Sequence, residues 1–216
     1  KAISIIKDGI HLGDIGSAIQ THVEGEAPFS FLVYQQVYDS DGRPIEGVYV
    51  DRNNDNIIND DDRYIKEDPF ADIIMGLTNS VRYKSWDFSI TARASIGNYA
   101  YNNLASNSVY NAAASINNIL NNIHADYLDT GFIDFTENSL LSDHYVQEAS
   151  FVKIDNISIG YSITTKSGCD VRFFGTLQNV ATFTDYKGID PEIYGGIDNN
   201  FYPRPQTGVF GVTFEF

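Results

Sequence analysis

Cysteine is nearly absent: Cys169 is the one thiol among 216 residues, so the chain holds no internal disulfide, and a single Cys does not indicate a compartment. Basic charge is scarce as well. Fourteen Lys and Arg stand against 29 Asp and Glu, a formal net charge of −15. That balance excludes a nucleic-acid partner, because binding to phosphate needs a basic surface. No run of 18 apolar residues occurs, so no transmembrane helix is encoded. Histidine is sparse and scattered over His11, His22, His124 and His144. No Gly-x-Ser-x-Gly elbow and no His-Glu-x-x-His appears, so nucleophilic and zinc-protease chemistry lack their usual carriers. No signal peptide is visible, and the chain opens at Lys1 without Met. It reads as a fragment or a mature C-terminal portion.

Aromatic residues, by contrast, are plentiful: 14 Tyr and 14 Phe within an aromatic share of 13%. The last stretch, 207–216, reads TGVFGVTFEF and alternates strictly. Successive strand side chains point to opposite faces. Phe210, Val212, Phe214 and Phe216 therefore share one face, and Thr207, Val209, Gly211, Thr213 and Glu215 share the other. An apolar face ending on an aromatic residue suits an outer-membrane β-barrel. The Gly211-x-x-Phe214-x-Phe216 pattern resembles the C-terminal signal read by the barrel assembly machinery. The alternative is a sandwich strand with its aromatic face on a soluble core.

Taken in order, 16–23 and 29–38 read as short strands joined by a turn at 25–28. Residues 39–44 (DSDGRP) form a turn with a mechanism, since Asp and Gly accept the required backbone angles and Pro fixes its own. Residues 45–50 are extended, and 51–71 form a long acidic loop. Strands follow at 73–83 and 86–97, joined at Lys84 and Ser85. In the second, Trp86, Phe88, Ile90, Ala92, Ala94 and Ile96 oppose Asp87, Ser89, Thr91, Arg93 and Ser95. Residues 98–149 are an Asn- and Ser-rich excursion. Ile116, Ile119, Leu120 and Ile123 have helical spacing there, though a loop packed on itself is the preferred reading. Strands at 151–163 and 170–184 flank a tight turn, and 186–206 is a long loop before the last strand. Backward from the C-terminus the connections run long, short, long, short, long, short. Outer-membrane barrels have long extracellular loops and short periplasmic turns. The pattern predicts an all-β fold: an antiparallel transmembrane β-barrel segment of about seven strands from the C-terminal end of a larger barrel, with its apolar faces outward.

Three stretches carry a family resemblance: EASFVKIDNISIGY at 148–161, QNVATFTDYKGIDPE at 178–192, and YPRP at 202–205 leading into the last strand. The acidic loop at 51–62 and the region 16–38 share it. Together they resemble the SusC/RagA-like family of TonB-linked (TonB-dependent) outer-membrane transporters, over nearly the whole chain but only the C-terminal portion of the family. The resemblance implies nutrient import across the Gram-negative outer membrane, with oligosaccharide or oligopeptide cargo. The implied partners are a SusD-like surface lipoprotein, the TonB system acting through a plug, and the remaining barrel strands. Lipid and lipopolysaccharide would surround the barrel. No plug and no TonB-contacting segment is recognisable, and seven strands cannot close a barrel of about 22. Two other classes remain open: an outer-membrane barrel enzyme, and a soluble calcium-binding adhesion or glycan-binding β-sandwich.

No residue is assigned a catalytic role. Asp87, Arg93, Arg172 and Gln178 face the lumen side and contact a plug or one another in preference to cargo. The aromatic faces are read as lipid anchors, not as sugar-stacking platforms. His124 and His144 are read as solvated loop residues in preference to a metal pair. The long segments 98–149 and 186–206 are the regions expected to touch the lipoprotein and cargo. The acidic loop has a sharper reading. Counting from Asp51, oxygen-bearing side chains fall at positions 1, 3, 5, 9 and 12: Asp51, Asn53, Asp55, Asn59 and Asp62. Ile57 at position 7 would offer its backbone carbonyl. This is the ligand spacing of an EF-hand loop for Ca2+. Position 6 is Asn56 instead of Gly, and Asp62 replaces the usual Glu, as in dockerin-type loops. The expectation is one structural Ca2+.

Overall fold

A computed structural model describes residues 19–107, 124–132, 141–166, 168–199 and 202–215. Twelve strands occur among them. In chain order they are β1 (Gln20–Thr21), β2 (Ser30–Val33), β3 (Gln36–Tyr38), β4 (Pro44–Tyr49), β5 (Tyr64–Ile65), β6 (Ile73–Tyr83), β7 (Trp86–Ile96), β8 (Tyr99–Tyr101), β9 (Val146–Glu148), β10 (Phe151–Thr164), β11 (Asp170–Thr184) and β12 (Thr207–Glu215). The chain divides into two units. One comprises Lys1–Phe70, Asn98–Glu148 and Tyr186–Phe201; the other comprises Ala71–Gly97, Ala149–Asp185 and Tyr202–Phe216.

The second unit is one sheet in the order β12-β11-β10-β7-β6, antiparallel throughout. The five strands pair in sequence order. The turn at Lys84 and Ser85 is as short as expected, with Lys84 at φ 52. It and the 165–169 turn lie at one end of the sheet. At the other end, all the chain belonging to the first unit leaves and re-enters. The register stacks like on like. Tyr83, Trp86, Tyr161, Phe173 and Val212 are successive partners across the five strands, forming an aromatic band at the turn end. Trp86 and Tyr161 bring their ring centroids to 4.6 Å. One row further in lie Val81, Phe88, Ile159, Gly175 and Phe210. This face is open: Phe210 is 85% exposed and Phe214 58%. A soluble sandwich would bury these rings, and monomers in water seldom expose an apolar surface so continuous.

Strict alternation fails once, in β10. From Ile157 to Ile163 the odd-numbered residues face outward with Phe88 and Ile90. Continued backward, that phase would put Asp155, Lys153 and Phe151 outward too. A β-bulge intervenes. Ile154 pairs with Ala92 and Asn156 with Thr91, so Asp155 is the extra residue. Beyond it Ile154 and Val152 face outward, while Lys153 shares the polar face with its partner Arg93. Asp155 accepts two hydrogen bonds from Arg93 Nε, at 2.9 and 3.1 Å. One bulge thus keeps two charged residues, Asp155 and Lys153, off the apolar face.

The first unit corrects the strand count. The stretches 16–23 and 29–38 do not join the large sheet. Their described residues form β1, which pairs with β2, and β3, which pairs with β4. The turn at 25–28 therefore belongs to this unit and is not a third short turn of the sheet. The reason is burial on both sides. Gln20, Thr21, Ser30, Phe31 and Val33 are all nearly inaccessible, so these strands have no face to give to lipid. They build a core instead, with Tyr34, Tyr49, Tyr101 and Tyr145 among its buried residues. Hydroxyls at and beside this core reach carboxylates: Tyr34 donates to Asp60 at 3.2 Å, Tyr64 to Asp143 at 2.6 Å and Tyr186 to Asp198 at 2.8 Å. Burial, with the Asp60 carboxylate beside it, pushes Tyr34 up to about 12. The 39–44 turn forms as read: Asp39 Oδ1 accepts from the amides of Asp41 and Arg43, and Gly42 takes φ 79. Within the 98–149 excursion, β8 and β9 pair and Tyr127–Thr130 is one helical turn. The candidate helix at Ile116, Ile119, Leu120 and Ile123 lies outside the described residues, as do His11 and Phe216.

Deleting Asp155 alone removes the extra residue and leaves Ile154 and Asn156 alternating opposite Ala92 and Thr91, whereas deleting Ile154 and Asp155 together puts Lys153 next to Asn156 and turns the start of β10 over, bringing Lys153 toward the apolar face. A Lys on the lipid face costs between about 1 and 3 kcal/mol depending on depth. The full-length protein lacking both residues should lose heat-resistant folded barrel on gels, whereas the protein lacking Asp155 alone, which keeps the phase of β10, should retain most of it.

Candidate functional site

The acidic loop follows β4 and folds on its own side chains. Asp51 accepts from the amides of Asn54 at 2.7 Å and Asn56 at 2.8 Å. Asn53 Oδ1 accepts from the Asp55 amide and Asp55 Oδ1 from the Ile57 amide, at 2.9 and 2.8 Å. Asn59 caps the 3-10 turn Asp60–Asp62 by accepting from Asp61 at 2.7 Å. Asp62 is buried and accepts from Arg52 and Asn53 on one oxygen and from Asn59 on the other. The Asn59 amide, followed by those of Arg52 and Asn53, holds Asp62 below the usual carboxylate range against the opposing effect of burial, and the Asp51 side chain acts in the same sense. Positions 1 and 12 of the loop are thus neighbours. Asn56 takes φ 65, and Asn54 φ 62, the left-handed conformation that Asn tolerates better than most residues. Ile57 is 61% exposed. Among the described residues no group of three or more His, Cys, Asp or Glu is placed to hold a metal. Asp51, Asp55 and Asp62 are all engaged by backbone amides, while Asp60 accepts from the Tyr34 hydroxyl.

The polar face of the sheet is the second candidate region. Asp87 and Arg172 form a bidentate pair, Nη2 to Oδ2 at 2.6 Å and Nε to Oδ1 at 3.1 Å. They sit on β7 and β11, with β10 between them, and meet directly above Gly160. A Cβ on Gly160 would fall 2.5 Å from both Arg172 Nη2 and Asp87 Oδ1. The glycine is the gap through which the pair forms. Arg93 reaches Asp155 through Nε, so of the four lumen-side residues singled out in the sequence Asp87 and Arg172 contact one another, while Arg93 is held by a residue outside that set. Gln178 lies opposite Thr207 and Asn156 on the same face and joins neither pair. The sequence reading missed Gly160 and Asp155. The signals were present: a lone Gly on the polar side of a long strand, and a phase change between Ile154 and Ile157.

The histidines are also placed. His144 Nε2 lies 3.4 Å from Asp126 Oδ2, and His124 Nδ1 accepts from the Asp126 amide at 3.2 Å. Both converge on Asp126, so neither is the isolated solvated residue that was expected. His22 sets its ring edge-on to Phe29, with centroids 4.6 Å apart.

Solved structures share this architecture. The chain matches a chain of the RagAB peptide transporter with a TM-score of 0.69 at 20% identity, covering 97% of this chain and 25% of that one. It matches the RagAB peptide importer in its open-open state with a TM-score of 0.66 at 17% identity. The fold is that of an antiparallel transmembrane β-barrel segment. In sequence, it is 40% identical over 206 residues to the TonB-dependent receptor SusC of Bacteroides thetaiotaomicron, covering 92% of this chain and 20% of the relative. It is 30% identical over 229 residues to the TonB-dependent receptor P3 of Formosa agariphila, covering 89% and 22%. No family model matches the chain. The chain belongs with the SusC/RagA-like TonB-dependent receptors, and it spans about a fifth of the length of the curated relatives it matches.

Replacing Gly160 with Val should separate Asp87 from Arg172 and cost about 1–3 kcal/mol by overpacking. Chemical unfolding of the detergent-refolded full-length protein measures this. A Gly76→Ala control, at a position where a Cβ meets nothing within 4 Å, should be near neutral.

Proposed function

We propose that this chain is part of an energy-dependent importer of oligosaccharides or oligopeptides across the outer membrane of a Gram-negative bacterium. The observation that carries the reading is its 40% identity with SusC over 92% of the chain. The cargo is delivered through a SusD-like surface lipoprotein, and the TonB system supplies the work through a plug that belongs to the same transporter. The remaining barrel strands continue from the edges β6 and β12. With short turns in the periplasm, the long segments 98–149 and 186–206 are extracellular, and lipoprotein and cargo contact fall on them. The chain has no catalytic role in this reading. Deleting the parent gene should abolish growth on one class of oligosaccharide or peptide and leave the corresponding monomers usable. Affinity capture of the full-length protein should recover a surface lipoprotein. Undiminished growth on every oligomer tested would overturn the reading.

We also propose that the 51–62 loop holds one structural Ca2+, with Asp51, Asn53, Asp55, Ile57 through its carbonyl, Asn59 and Asp62 as its ligands. Two features support it: Asn56 adopts the turn that position 6 of such a loop requires, and Asp51 and Asp62 are brought side by side. An ion would relieve the repulsion among the crowded carboxylates and brace the loop just ahead of Tyr64, which packs against the core. Calcium should protect the loop from proteolysis in the wild-type protein and fail to do so in Asp55→Ala. Identical cleavage of both proteins with and without calcium would end the proposal.

A further inference from the structure

The apolar face of the sheet is not uniform. At the turn end, Gly175 sits between Ile159 and Phe210, where every neighbouring strand presents a bulky side chain. The result is an apolar depression of about 500 Å³, walled by Trp86, Ile159, Tyr161, Phe173, Phe210 and Val212. Lipid is the solvent for this face, so a recess in it is filled by lipid chain and not by water. The recess lies beneath the aromatic band, with Phe88 three residues past the turn at Lys84 and Ser85 and Gly175 six residues past Cys169.

Those turns carry the charge that selects the lipid. Lys84, in the first turn, holds Nζ 5.3 Å from the Tyr83 ring centroid. Lys166 is exposed in the second turn. The two turns stand side by side, since the Ser162 amide on β10 donates to the Ser85 carbonyl at 2.8 Å. The acidic groups at this end belong to the other face. Asp87 is engaged by Arg172, and Asp170 pairs in register with Glu215 on the polar side. Cations at the rim, aromatic rings at headgroup depth and an apolar recess below make the successive layers of a phospholipid. Lys on such a rim attracts anionic headgroups by about 1 kcal/mol each.

We propose that this face holds an anionic phospholipid, its phosphate between Lys84 and Lys166 and one acyl chain in the recess over Gly175. The inference rests on the outer-membrane reading but needs neither cargo nor energy input. Its failure therefore leaves the import function untouched. The test uses the full-length protein in nanodiscs containing equal amounts of phosphatidylcholine and phosphatidylglycerol, with retained lipid counted by native mass spectrometry. The wild type should retain phosphatidylglycerol preferentially. The double variant Lys84→Gln, Lys166→Gln should lower that preference about tenfold or more. Gly175→Leu, which fills the recess and leaves both charges, should abolish retention. Each variant is first checked for heat-resistant barrel; the Gln pair lies in solvent-exposed turns and serves as the decisive variant if Gly175→Leu does not assemble. No preference in the wild type, or an unchanged preference in the Gln variant, would overturn the proposal.

Discussion

The sheet is governed by the requirement that its two faces meet different surroundings while every backbone amide stays paired. In lipid an unpaired amide or carbonyl costs several kcal/mol, which leaves a closed hydrogen-bonded sheet as the only extended solution. Once the backbone is committed in this way, side chains can be sorted only by their phase along each strand. A one-residue error sends the whole sequence of a strand to the wrong face. The bulge at Asp155 is the response of β10 to that rule. The strand carries a charged segment whose phase is opposite to that of its apolar half, and one unpaired residue reconciles them.

The same rule explains how charge is carried on the polar face. Asp87 and Arg172 are two strands apart, farther than directly paired residues, and a side chain on the strand between them would block their contact. Gly160 removes the block. This pair and Arg93–Asp155 each neutralise a charge on the polar face. The chain's acidic excess is found elsewhere, much of it in the 51–62 loop, where backbone amides take the place of cations. Five amides converge on Asp62 and Asp51 with only short stretches of chain between them, which is why so acidic a loop can adopt one conformation.

The first unit obeys a different constraint. Its strands are short, β1 and β2 are buried on both faces, and its polar interior is tyrosine and carboxylate instead of aliphatic. Tyr34 and Tyr64 each donate to an Asp from another part of the chain, and Tyr186 donates to Asp198 within its own connection. Such pairs tie long connections together without extended secondary structure, and each satisfies a hydroxyl and a carboxylate that would be costly to bury alone.

The five long strands, their boundaries to within a residue or two and the identity of the apolar face were legible in the sequence, because alternation is a local property and each strand in the sheet has one lipid-type face. The turn at 39–44 was legible for a similar reason: its Asp and Gly act within four residues of one another. The 16–23 and 29–38 stretches were misassigned because a strand buried on both sides leaves no alternation to distinguish a core from a barrel. The convergence of His124 and His144 on Asp126, the Tyr–Asp pairs and the passage of the Asp87–Arg172 contact over Gly160 could not be read at all. Each depends on which distant segments become neighbours. Sequence alone determined which side of each long strand seeks lipid; the tertiary structure decided which residues are partners, since strand register and chain return, not local pattern, set the distances between them.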